Sequence, residues 1–182
     1  MEHDEKLTDL LSGFKPEPFA NEVFRARAPG LDPTVGSSAG GRWGRRDGAT
    51  ILYTSVVREG ALAELTFHWG QNNPRPPKPI VVHRLALSAR KVIRITCSDF
   101  RMLAIDETKY QEITYLRTQQ IGEAAAFLGF DGLIAPCARW PCENLIYFES
   151  NGGSNPQVRT LQSESVKDWE VWGIAQGIID PS

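Results

Sequence analysis

Two apolar runs, DGLIAPCA (131–138) and NLIYFES (144–150), stand on either side of RWPCE and constrain the chain more than any other feature. They read as two buried strands joined by a tight turn, and a buried strand pair needs a sheet and covering layers around it. Further strand-like runs precede them. EVFRARA (22–28) alternates, TILYTSV (50–56) is β-branched, and IVVHRLAL (80–87) and KVIRIT (91–96) combine alternation with β-branched content. Helical signals are fewer. EGALAELTFHW (59–69) places Leu62, Leu65 and Trp69 at helical spacing, and YQEITYLRTQQIGEAAAFLGF (110–130) does the same up to Gly129, a natural helix stop. Strands outnumber helices without regular alternation, so the predicted class is α+β.

A chain of 182 residues forms one domain with a single substantial core. Residues 1–20 are predicted as a polar N-terminal extension, since Pro16 and Pro18 stop any helix begun over Lys6 to Phe14. Residues 21–182 form the domain, ending in a polar tail with an apolar patch near Trp169 and Trp172. A net charge of -2, a pI near 5.9 and a mean hydropathy of -0.30 describe an ordinary globular protein without a basic field for nucleic acid. The N-terminus lacks a signal-peptide pattern and no apolar run is long enough to span a bilayer, which predicts a cytoplasmic protein.

Cys97, Cys137 and Cys142 are too few, and odd in number, for a disulfide framework. Structural zinc requires about four ligands in paired spacing, and the histidines, His3, His68 and His83, supply no second pair for the two cysteines, so no metal is expected. Pro136 ends its apolar run, which puts Cys137 at the start of the turn and at the edge of any cleft there. As a free thiol it is a weak donor to a ligand, a role serine fills better. A nucleophilic cysteine paired with a distant histidine remains the competing reading.

Between Pro29 and Gly48 lies an irregular segment with six glycines, PGLDPTVGSSAGGRWGRRDG. It matches neither a P-loop nor a dinucleotide fingerprint. Its chemical content is GGRWG (40–44): glycines that permit close backbone approach, Arg42 for a phosphate, and Trp43 as an aromatic wall. Arg25 in its strand is a second anion anchor, Glu64 lies in an apolar helix that would desolvate it, and Tyr53 ends a strand before Thr54 and Ser55.

Arg25, GGRW (40–43), LYTS (52–55), ALAE (61–64), TQQIGEAAAFLGFDGLIAPCAR (118–139) and NLIYF (144–148), in that order, resemble the RES domain family, the toxins of RES-Xre toxin–antitoxin modules. The resemblance covers roughly residues 22 to 150. It implies an ADP-ribosyltransferase-like fold of two packed sheets with flanking helices, and an enzyme that takes NAD as substrate and arrests growth. By position in the motifs, Glu64, Arg25 and Tyr53 fall on the catalytic set, and Arg25, Arg42, Trp43, Tyr53, Cys137 and Asn144 on the NAD-binding set. Cys137 stands where the family has serine, and Gly44 where it often has asparagine. The partner implied is an Xre-type antitoxin whose C-terminal segment blocks the cleft; oligomeric state is left open. Three outcomes fit these residues: cleavage of NAD with transfer of ADP-ribose to water or phosphate, transfer to a protein side chain, or nucleotide or partner binding without catalysis.

Overall fold

A computed structural model describes residues 4–152 and 157–181. In chain order it comprises α1 (Glu5–Ser12), β1 (Glu17–Arg27), β2 (Ile51–Ser55), α2 (Arg58–Gly70), β3 (Ile80–Arg94), α3 (Leu116–Phe127), β4 (Gly132–Pro136), β5 (Glu143–Phe148), β6 (Val158–Val166) and α4 (Trp169–Ala175). Helices and strands are mixed, and all strand pairs are antiparallel except β3 with β4.

The strands are hydrogen-bonded into one sheet of order β1-β2-β5-β4-β3-β6, and β1 also pairs with β3. That extra pairing closes a ring of five strands, with β6 added alongside β3. Val23, Leu52, Leu85, Ile134 and Leu145, one from each ring strand, meet in a shared cluster inside it. A second cluster packs α1 and α3 against the other face of β4 and β5, and a third packs α2 and α4 against β1 and β3. The family resemblance implies two packed sheets; here the halves are continuous because β3 is long enough to pair with β1, β4 and β6 together.

β3 is also where the sequence predicts two strands. Ser88 and Ala89 carry extended backbone across the expected break by pairing with Ala20 and Phe19. β1 correspondingly starts at Glu17, and Pro18, which lacks a donor, falls at the register shift between Glu17 and Phe19 where no ladder bond is required of it. Within residues 4–20, Leu7 and Leu11 of α1 are fully buried against the domain, and Asp4 caps the helix by accepting from the Leu7 amide at 3.4 Å. Residues 1–3, including His3, lie outside the described part.

α3 begins at Leu116, later than its periodicity suggests, because Tyr110 is drawn away to donate its hydroxyl to the Pro136 carbonyl at 2.7 Å. Its end is as expected, with Gly129 at φ +75°. The tail is folded: β6 lies along β3, and Trp169 is buried with its Nε1 donating to the Lys78 carbonyl at 3.0 Å. No helix among the described residues is long and apolar enough to cross a membrane.

Candidate active site

The alternation of β2 and β5 builds the floor of a cleft. Tyr53 and Ser55 on β2 share a face with Asn144 on β5, while Leu52 and Leu145 turn to the interior cluster. Ser55 faces Asn144 across the ladder and donates its hydroxyl to Asn144 Oδ1 at 2.5 Å. That bond fixes the amide so that Nδ2 donates to Glu64 Oε1 at 3.1 Å. Cys137, just past the end of β4, donates its thiol to the same oxygen at 3.2 Å. Two donors from the sheet thus hold one oxygen of a carboxylate carried by α2. Oε2 has no hydrogen-bond partner among the described residues and can accept from a ligand.

The Gly-rich segment forms the opposite wall and is pinned at several points. Arg25 is 7% exposed and uses Nη1 to hold the Pro33 and Val35 carbonyls at 2.8 and 2.7 Å. Burial and the neighbouring Arg27 guanidinium pull Arg25 down to about 10. Further on, Gly40 turns the chain at φ +85°, the Gly41 amide donates to the Gly44 carbonyl at 2.8 Å, and Gln119 of α3 donates to the Gly41 carbonyl at 3.0 Å. Gly122 on the same helix lets the Trp43 carbonyl approach so closely that a Cβ would sit 1.8 Å from it.

Arg42 reaches back over the aromatic pair Tyr110 and Tyr115, its guanidinium carbon 4.6 and 4.7 Å from their ring centres, and donates to the Glu112 carbonyl at 3.3 Å. Tyr53 accepts from the Trp43 amide at 3.3 Å, and burial raises its hydroxyl well above the ordinary phenol range. Trp43 departs from the expected aromatic wall. It belongs to the residues around the cleft, but its indole is 2% exposed and packs in the core beside α3. A large apolar ring beside a helix with small residues gains more from burial there than from facing water.

The resulting cleft has a volume of about 730 Å³, within the range of small-molecule sites. Its ionisable lining is lopsided: among the described residues Arg25, Arg27, Arg42 and Arg46 face one carboxylate, Glu64, with His68 one helical turn beyond it on α2. This positive field is local, since the chain as a whole carries a net charge of -2. Outside this lining, on the turn after β4, Arg139 has its guanidinium carbon 3.4 Å from the centre of the Phe67 ring, and its Nε and Nη2 are buried without a hydrogen-bond partner among the described residues.

Of the residues the sequence singles out, the structure gathers Arg25, Arg42, Tyr53, Glu64 and Asn144 around the cleft with Cys137 against Glu64, while the Trp43 indole is buried. Ser55, Gln119 and Arg139 lie within the same motifs but carry no expected role, because their partners Asn144, Gly41 and Phe67 are 72 or more positions away in the chain. His68 was weighed as a metal ligand alone; among the described residues no group of three or more candidate ligands could hold a metal. The Cys137 thiol is pushed far above the ordinary thiol range by its hydrogen bond with Cys142, by burial and by the Glu64 charge, which opposes a nucleophilic role toward a cleft ligand.

Fold and site together define a mixed helix-and-sheet protein with an arginine-lined cleft over one fixed carboxylate. The chain belongs to the RES domain family, whose model matches residues 22–172. A solved structure with the same fold is a chain in the crystal structure of the M. tuberculosis MbcT-MbcA toxin–antitoxin complex: TM-score 0.80 at 16% identity, covering 96% of this chain and 98% of that one. No curated protein matches the chain by sequence.

Proposed function

We propose that this protein is the toxin of a bacterial type II toxin–antitoxin module, and that it consumes NAD in the cytoplasm by cleaving the nicotinamide–ribose bond on an ADP-ribosyltransferase-like scaffold. The observation that carries the reading is the lining of the cleft: four arginines around a single carboxylate with one oxygen free. A dinucleotide brings both complements, a pyrophosphate for the guanidinium groups and a ribose that turns cationic as nicotinamide leaves.

Nicotinamide departs from a positively charged ring and becomes neutral, so the step requires no general acid. It requires negative charge beside the developing oxocarbenium ion. Glu64 supplies that charge and its Oε2 takes a ribose hydroxyl, while Asn144 and Cys137 hold the carboxylate in place at no cost during the reaction. Arg42 and Arg25 anchor the pyrophosphate, and Tyr53 bounds the nicotinamide side. Cys137 preserves the donor function of the family serine, with a weaker donor. Water then accepts the ADP-ribose and releases a proton, or phosphate accepts it.

An Xre-type antitoxin would cover this cleft with its C-terminal segment; the toxin–antitoxin complex that shares the fold supports such a partner. Incubation of the purified protein with NAD labelled in the adenylate half tests the reading. Free nicotinamide with labelled ADP-ribose or its phosphate is the expected result. Label on protein would favour transfer to a side chain, and intact NAD would reduce the cleft to a binding site.

A further inference from the structure

Cys137 and Cys142 face each other across the β4–β5 hairpin. The ladder pairs Pro136 with Glu143, and the next rung is closed by the Cys137 amide donating to the Cys142 carbonyl at 2.8 Å. Opposed residues of this kind have Cα atoms about 5.5 Å apart and side chains on one face, within the range a disulfide spans. Both cysteines are half-buried, and they lie directly under α2. Cys142 Sγ packs so closely on Gly60 that a Cβ there would come within 2.5 Å, and Cys137 Sγ donates to Glu64 Oε1 at 3.2 Å. The third cysteine, Cys97, is exposed in a separate turn.

We propose that Cys137 and Cys142 are an oxidative modification site, forming a reversible disulfide across the hairpin that removes the thiol donor from Glu64 and slows turnover. The chemistry stands on the cysteine pair alone; its consequence rests on the NAD-cleaving reading. The oxidant is a peroxide. The Cys142 thiolate, its proton released to solvent, attacks one peroxide oxygen; the O–O bond breaks, Cys142 becomes a sulfenic acid, and the departing hydroxide or alkoxide takes up that proton to leave as water or an alcohol. The Cys137 sulfur then attacks the sulfenic sulfur, the S–S bond forms, and the hydroxide leaves as water with the Cys137 proton. Two electrons pass from the two sulfurs to the peroxide. Cys142 is oxidised first because the Cys137 proton is engaged with the Glu64 carboxylate. In the disulfide, Cys137 has no hydrogen to donate, and Asn144 is left as the donor to Glu64 Oε1.

The test oxidises the full-length protein with hydrogen peroxide, blocks free thiols with N-ethylmaleimide and maps tryptic peptides by mass. Cleavage at Arg139 separates the two cysteines, so the disulfide appears as a linked peptide pair that dithiothreitol splits. NAD turnover should fall by about tenfold, the size of one lost hydrogen bond to a charged group, and return on reduction. Cys142→Ser should keep the turnover of the reduced parent and ignore peroxide. Maleimide on both cysteines after oxidation would overturn the proposal, as would a linked pair whose turnover stays within about twofold of the reduced protein. A reduced protein that leaves NAD intact would count against the functional reading, while the linked pair is still scored by mass.

Discussion

At the scale of single residues, the two arginines assigned to the pyrophosphate are held differently, and this separates their expected effects. Arg25 is buried and ties down the loop carbonyls of Pro33 and Val35, so its removal costs structure as well as binding. Arg42 lies on the two tyrosine rings with most of its donors unused, which makes it the cleaner probe. Arg42→Ala should weaken NAD binding by about tenfold or more with little loss of stability, and Arg42→Lys should recover part of the affinity, since an ammonium supplies charge without the planar fork. Calorimetric titration measures both; equal affinity in the parent and the alanine variant would remove Arg42 from the site. Arg25, Arg42 and Glu64 stand out in the sequence as charged residues in apolar or Gly-rich surroundings, but it is their order with the other motifs that gives them their expected roles. Trp43 was misread for a related reason: an aromatic in a Gly-rich loop gives no sign of which way its ring will turn, and the answer depends on Gly122, 79 positions later in the chain.

At the scale of elements, the Gly-rich wall is held in place by α3. Any side chain at position 122 must push the Trp43 carbonyl away, so Gly122→Ala should destabilise the protein by roughly 2 kcal/mol or more and lower turnover together with it. Urea denaturation reads this, and an unchanged midpoint would mean the wall adjusts freely. The β1–β3–β6 layer carries a second expectation. His83 on β3 is buried, with Nδ1 2.7 Å from the Ser163 hydroxyl on β6 and Nε2 unpartnered. Burial, then Arg25 and Arg27, hold its imidazole below the ordinary value, against a smaller opposing pull from Asp32. The unfolded chain therefore takes up the proton more readily than the folded one. Stability should be full above the ordinary imidazole value of about 6.5 and should fall as pH drops below it. His83→Gln should flatten the change in melting temperature between pH of about 7.5 and 5.5, and an unaltered slope would place the acid sensitivity elsewhere. Alternation and helical period revealed most of these elements. The join of β3 was hidden because Ser88, Ala89 and Arg90 are poor strand formers alone, kept extended by β1 and by Asp131, which accepts from the Arg90 amide at 2.6 Å.

For the whole molecule, the closed ring of strands explains how 182 residues hold a sizeable cleft without losing their core. The interior cluster fills the ring, α1 and α3 cover one flank, and α2 with α4 covers the other, leaving the seam between α2, β2 and the Gly-rich wall for a ligand. β6 carries little strand signal in the sequence because VRTLQSESV, at a sheet edge, is polar at most positions. The central claim is that Glu64 places the one negative charge of this cleft against a ribose cation. Glu64→Gln keeps the shape of the side chain and removes that charge. Measured as nicotinamide released from NAD by purified, folded protein, its turnover should drop by at least about a hundredfold, on the order of 3 kcal/mol in the barrier. A Glu64→Gln protein that turns over NAD within about threefold of the parent would contradict the account.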